Sequence, residues 1–183
     1  KARPEIVLLL GGQTVAVVSH AGDRFPHPDG GETSFSRDLL QVHLDAGLRD
    51  VIVLAAHFRS KINDDPGRRL AEATRAGEIL ALLAASRADA LLVLAGDLND
   101  VPTSPPLQAM GAKTPLLRAA ADLADDATYR FDGTNLAIDH IYQALDAAGA
   151  YVPGSARVFN GASEWGYGGS DHAALRAAFD LDP

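Results

Sequence analysis

Apolar positions along this chain follow two different spacings. Short β-branched runs at Ile6–Leu10 and Thr14–Val18, separated by Gly11-Gly12-Gln13, predict two strands around a turn. Leu39–Leu44 and Val51–Ala56 predict the next two strands, joined through the turn residues Asp45 to Asp50. Between 68 and 86 the spacing becomes helical, with apolar or small residues at Leu70, Ala73, Gly77, Leu80, Leu83 and Ala84. Leu91–Ala95 is a continuous apolar run of strand length that ends at Gly96-Asp97. Ser104 followed by Pro105 predicts the first turn of a short helix. Later strands are predicted at Thr128–Phe131, Ala137–Tyr142, Ala156–Phe159 and Ala173–Phe179, and Ser19 to Ser36 reads as a polar loop.

Residues 51–97 carry the most information. Strand, helix and strand in that order make a βαβ unit with parallel strands. His57 directly follows the first strand and Asp97 the second. The topology therefore predicts both side chains at one carboxyl edge, where open α/β sheets place their ligands.

Composition narrows the chemistry. The 183 residues are 47% hydrophobic, enough for a sizeable core, and no linker or low-complexity segment divides them, so residues 1–183 are expected to form one domain. No apolar run is long enough to span a bilayer. There is no Cys, which excludes disulfides, thiolate metal sites and cysteine catalysis. A metal would then be held by oxygen or imidazole, which points to Mg²⁺, Mn²⁺ or Ca²⁺.

The net charge is −8, from 16 Lys+Arg against 24 Asp+Glu. The local basic excess, Arg59, Lys61, Arg68, Arg69 and Arg75, is interrupted by Asp64, Asp65 and Glu72. That pattern argues against a processive nuclease, which needs a basic face, and leaves a small phosphoester open. Lys1-Ala2-Arg3-Pro4 lacks a signal-peptide pattern and leads straight to Ile6–Leu10, so the chain reads as starting inside a domain. Localisation and oligomeric state are not legible in the sequence.

Four short motifs end in chemically capable residues: Ala56-His57-Phe58-Arg59-Ser60, Gly96-Asp97-Leu98-Asn99-Asp100, Ile138-Asp139-His140-Ile141-Tyr142, and Ser170-Asp171-His172. Taken singly, each has a structural reading. A His after a strand is commonly a hydrogen-bonded or surface residue, and Gly-Asp-x-Asn-Asp makes a turn in which Asp and Asn bond their own backbone. An Asp inside an apolar strand is harder to dismiss, because a buried carboxylate needs a partner. Ser170-Asp171-His172 is no serine-protease triad, since neighbouring strand residues point to opposite faces. His140 alternates with Asp139 and is given no role.

Together and in this order, the four motifs resemble the C-terminal signatures of the endonuclease/exonuclease/phosphatase superfamily, which includes DNase I and exonuclease III. The resemblance covers roughly residues 14 to 180. Phe35-Ser36-Arg37-Asp38-Leu39-Leu40 and the run from Ser60-Lys61 to Arg69 and Glu72 are similar to a bacterial branch of it. It implies an α/β fold: a four-layered sandwich with two packed mixed sheets and outer helices. It also implies divalent-metal-dependent hydrolysis of a phosphoester by in-line attack of water. By motif position, Asp97 would activate the water, and Asn99 would hold it or the phosphate. His172 would meet a phosphoryl oxygen or act as general acid, oriented by Asp139. His57 would contact the scissile phosphate, and Asp171 would be a metal ligand.

The resemblance is incomplete. The family's early Asn and metal-binding Glu are not found, and neither is a carboxylate partner for His57. The expectation is a phosphoesterase domain lacking its N-terminal strands. A non-catalytic scaffold on the same fold is the alternative. A calcineurin-like metallophosphoesterase would need Gly-Asn-His and Gly-His-x-His strings, which are absent. Arg37 could meet phosphate or pair with Asp38 or Glu32. His20 and His27 could form a metal site, but they read as solvated loop residues. Trp165 to Gly169 could stack on a base or sugar, or pack over the sheet edge.

Overall fold

The structure, a computed structural model, describes residues 13–161 and 165–182. The expected strand at Ile6–Leu10 lies outside the described residues. In chain order the elements are β1 (Gln13–Ser19), β2 (Phe25–Pro26), β3 (Glu32–Thr33), β4 (Leu40–Asp45), β5 (Asp50–His57), α1 (Pro66–Ser86) and β6 (Leu91–Asp97). There follow α2 (Pro105–Gly111), β7 (Leu116–Arg118), a 3₁₀ turn (Ala119–Asp122), β8 (Tyr129–Phe131), β9 (Thr134–Leu136) and β10 (Asp139–Ala144). The last four are β11 (Ala150–Tyr151), β12 (Arg157–Phe159), β13 (Ala174–Arg176) and β14 (Phe179–Asp180).

A mixed six-stranded sheet runs in the order β1-β4-β5-β6-β10-β7. The predicted βαβ unit is its centre: β5 and β6 pair in parallel from Val51↔Leu91 to His57↔Asp97, and α1 makes the crossover. Asp65 starts that helix by accepting the Arg68 backbone N–H, with Pro66 inside the first turn, an arrangement that satisfies an orphan donor. Alternation along the strands then sorts the core. Ile52, Leu54, Ala56, Leu92 and Leu94 face α1 and α2, packing with Ala73, Ala76, Leu80, Leu107 and Met110. Val51, Val53, Leu91 and Val93 face the other way, with Leu44, against Phe179 and Leu181. Among the described residues, β11–β14, which carries Phe179, and β12–β13 are separate two-stranded antiparallel ribbons.

The 19–36 loop contains structure the sequence pattern did not predict. Phe25 and Phe35 are buried, with ring centroids 4.9 Å apart, and they anchor the small β2–β3 ribbon. The single strand expected over Ala173–Phe179 is two strands, β13 and β14, which pair with different partners. No described helix is long and apolar enough to cross a membrane.

Candidate active site

Three neighbouring strands bring three candidate side chains into one row. His57 is opposed to Asp97 across β5–β6, and Asp97 to Asp139 across β6–β10. Opposed residues share a face, and the residue before His57, Ala56, packs towards the helices. The row therefore lies on the face away from α1, at the carboxyl edge of β5 and β6. Backbone geometry fixes why the residue before Asp97 is glycine. Gly96 has φ +143°, and a Cβ there would come within 1.9 Å of the Ala56 carbonyl oxygen. Close strand approach at this point requires a residue without a side chain.

The fourth member arrives from the opposite direction. His172 forms an isolated bridge with Tyr129, and its ring lies 4.7 Å from the Tyr129 ring. Its Nδ1 donates to Asp139 Oδ2 at 2.8 Å, since a carboxylate oxygen can only accept. Thr128, fully buried, ties the two halves of this pair together. Its hydroxyl oxygen accepts from the backbone N–H groups of Ile138 (3.2 Å) and Asp139 (3.0 Å). Its carbonyl accepts from Ala173 N at 2.7 Å. Sequence reading passed over Thr128; a polar residue before the aromatic Tyr129, upstream of Ile138-Asp139, was the only signal.

After Asp97 the chain makes the Asx turn that the motif predicts. Asn99 N donates to Asp97 Oδ1 at 2.9 Å, and Asn99 itself sits at φ 54°, a left-handed conformation that Asn tolerates. Asn99 Nδ2 donates to the Phe58 carbonyl at 3.1 Å, and Arg37 Nη1 donates to the same oxygen at 3.3 Å. Arg37 thus reaches the His57 end of the site instead of pairing with Asp38, which bonds Ser19 Oγ and His20 N. The sequence left His57 without an identified carboxylate partner; in the structure His57 Nε2 lies 3.3 Å from Asp97 Oδ2. The turn is braced from behind. Asp100 receives Arg69 Nε and Lys61 Nζ, each at 3.0 Å, and its carbonyl bonds His140 Nε2 at 2.9 Å.

The electrostatics follow from burial and from crowded charge. Burial, and then the nearby Asp139 charge, push the Asp97 carboxyl up to about 6, against the opposing pull of His172, the Asn99 N–H and Arg37. Burial, with the positive charges of Arg37 and His172, pushes His57 down to about 4, so it is neutral at neutral pH. For His172 burial works against the charged ring. The hydrogen bond and charge of Asp139, with the charges of Asp97 and Asp171, outweigh it and hold His172 above its ordinary value.

Asp97, Asp139 and His172 each offer one ligand atom, all within 4.8 Å of one another. Two carboxylates and an imidazole form an oxygen-rich donor set that fits a hard divalent cation. Asp171, the metal ligand expected from the motif, is exposed and lies outside this group. His20 and His27 are not solvated as expected. His20 contacts Gln41 and Asp23, and His27 contacts Asp65, with side chains 14% and 17% exposed. The Trp165–Gly169 segment closes beside the site, where Tyr167 N donates to the His172 carbonyl at 2.9 Å and leaves the Tyr167 ring 55% exposed.

A mixed sheet with an Asp–Asn turn, an Asp–His pair and a further His at its carboxyl edge defines an α/β sandwich of the DNase I-like class. The sequence profile of the Endonuclease/Exonuclease/phosphatase family matches residues 9–172, and the chain belongs to that family. No curated protein matches the sequence. Among solved structures, TDP2 from Caenorhabditis elegans is similar at TM-score 0.62 and 17% identity, over 92% of this chain and 51% of that one. The human Nocturnin catalytic domain with bound sulfate anion is similar at TM-score 0.65 and 15% identity, over 93% and 60%. D. rerio TDP2 complexed with single strand DNA product is similar at TM-score 0.60 and 16% identity, over 92% and 68%. The chain spans about half the length of the Caenorhabditis elegans protein. At these identities the likeness concerns the fold.

Proposed function

We propose that this protein is a divalent-metal-dependent phosphoesterase that hydrolyses its substrate by in-line attack of water. The observation that carries this reading is the juxtaposition of Asp97 with the hydrogen-bonded Asp139–His172 pair at one sheet edge. Asp97, buried and held near 6, is a carboxylate base poised close to neutral pH, suited to taking a proton from the attacking water. His172, whose pKa the Asp139 carboxylate raises, is suited in its charged form to meeting a phosphoryl oxygen or protonating the leaving group. Asp139 fixes the tautomer, leaving Nε2 of His172 for the substrate.

Asn99, Arg37 and neutral His57 supply further donors around the phosphate position. Asp171, the exposed carboxylate next to His172 in the chain, is the residue that would contribute a ligand to Mg²⁺ or Mn²⁺ (Ca²⁺ shares the same donor chemistry), because a protonated His172 cannot ligate a cation and Asp97 and Asp139 are engaged in proton transfer and in orienting the histidine. A bound cation would add positive charge where the phosphoryl oxygens gain negative charge.

The substrate class we favour is a small phosphoester or a chain end, in place of long nucleic acid. The basic residues that might have formed a nucleic-acid face are engaged locally: Lys61 with Asp100, Arg69 with Asp64 and Asp100, Arg68 with Ser34 O, and Arg75 with Asp23. The family neighbour bound to single strand DNA product keeps a nucleotide ester within range. The test is a panel of bis(p-nitrophenyl) phosphate, p-nitrophenyl phosphate and a short oligonucleotide, assayed with the intact protein and Mg²⁺ or Mn²⁺. Turnover of a phosphoester that stops in excess chelator is expected. Turnover of none of them would leave the scaffold alternative.

A further inference from the structure

Glu72 is fully buried on α1, yet it carries a carboxylate. A buried carboxylate is costly unless donors surround it, and donors that compensate it are thereby held in place. Its two oxygens accept from two separate loops: Oε1 from Ser36 N at 2.5 Å and Oε2 from Arg59 N at 2.6 Å. Arg68 Nε lies 3.5 Å from Oε1. The residue after Ser36 is Arg37, and the residue before Arg59 is Phe58. Those two meet at the Phe58 carbonyl, which accepts from Arg37 Nη1 and from Asn99 Nδ2.

Glu72 thus clamps both sides of a junction at which Arg37 and Asn99, the two donors assigned above to the phosphate, are fixed. Ser36 Oγ is buried with no partner among the described residues, and the bond Ser36 makes to Glu72 is through its amide.

We propose that Glu72 is a positioning residue for the phosphate-binding side of the site, acting through the Ser36 and Arg59 amides on Arg37, the Phe58 carbonyl and Asn99. The inference rests on the phosphoesterase reading for its kinetic consequence and on the hydrogen bonds alone for its structural one.

The test uses the intact protein, Mn²⁺ and bis(p-nitrophenyl) phosphate. Glu72→Gln keeps the volume but turns an amide N–H towards a backbone N–H. Losing a charge-assisted bond of this kind predicts a fall in kcat/KM of about ten- to hundredfold, carried mainly by KM. Arg37→Ala should fall in the same parameter, and Arg37→Ala/Glu72→Gln should be no worse than the more damaged single variant. Ile79→Val, on the same buried helix face, should lower stability without moving kcat/KM. Losses that multiply in the double variant, or a Glu72→Gln profile like that of Ile79→Val, would overturn the proposal.

Amide hydrogen exchange gives a readout that needs no turnover. Glu72→Gln should speed exchange at Ser36 and Arg59 by about tenfold or more beyond the global change, and unchanged relative protection would overturn the clamp. Should Glu72→Gln not fold, Glu72→Asp, which draws the charge back by one methylene, takes its place in both measurements. A wild type inactive on every phosphoester would remove the phosphoesterase reading, while the exchange rates would still decide the clamp.

Discussion

Asp139 Oδ2 accepts a 2.8 Å hydrogen bond from His172 Nδ1, joining residues 33 positions apart in the chain. A carboxylate in this position has one route to the chemistry, through its histidine. His172→Ala is expected to cost about 10²–10⁴-fold in kcat, the usual range for a general acid–base group. Asp139→Asn should cost less. The double variant Asp139→Asn/His172→Ala should match His172→Ala alone, because residues acting as a unit are not additive. Steady-state kinetics of the four proteins check this, and independent multiplying losses would break the pair.

The pH profile of kcat/KM should be bell-shaped. A base at Asp97 acts only when ionised, so the rate should rise through about 6, the value to which burial and the Asp139 charge push it. A general acid at His172 acts only when charged, so the rate should fall as pH passes its raised value, above 6.5. His57, held down to about 4, stays neutral across this range and sets neither limb. In His172→Ala the alkaline limb should vanish; its survival would assign that limb to another group.

Much of this site was legible in the sequence because strand topology converts chain order into position. His57 and Asp97 follow parallel strands, so knowing the βαβ unit was enough to place them side by side. Alternation placed His140 on the face opposite to Asp139, and it is buried there against Tyr142. What the sequence did not carry was contact between loops. The Phe58 carbonyl as a meeting point for Arg37 and Asn99, and Thr128 as the knot behind Asp139, depend on where irregular segments come to rest. Periodicity has no signal for such contacts. The β2–β3 ribbon escaped for the related reason that two-residue strands show no alternation. The expectation that His20 and His27 are solvated failed because polar residues in a loop can pack against polar partners, here Gln41, Asp23 and Asp65.

Acid should weaken the fold through His140. Burial pushes this ring down to about 4, against the raising effect of its bond to the Asp100 carbonyl. The folded value lies below the ordinary 6.5, so on acidification the unfolded chain takes up the proton first. Stability should therefore decline as pH falls from about 6.5 to about 4, by up to about 3 kcal/mol from this residue. Urea denaturation at pH 7 and pH 4.5 checks it. His140→Gln, with no ring to protonate, should show a smaller pH dependence than the wild type; an equal dependence would point to other groups.

The central claim is that Asp97 acts as a base at a metal-dependent phosphoester site, and a metal titration of one variant tests it most directly. Asp97→Asn keeps the shape and an acceptor for Asn99 N while removing basicity. Hydrolysis of bis(p-nitrophenyl) phosphate should be measured for wild type and Asp97→Asn across Mn²⁺ concentrations up to saturation. The account predicts a rate deficit of about 10²–10⁴-fold that persists at saturating Mn²⁺, with folding intact. Recovery of near-wild-type rate at high Mn²⁺ would contradict it, because Asp97 would then serve as a metal ligand and the base would lie elsewhere.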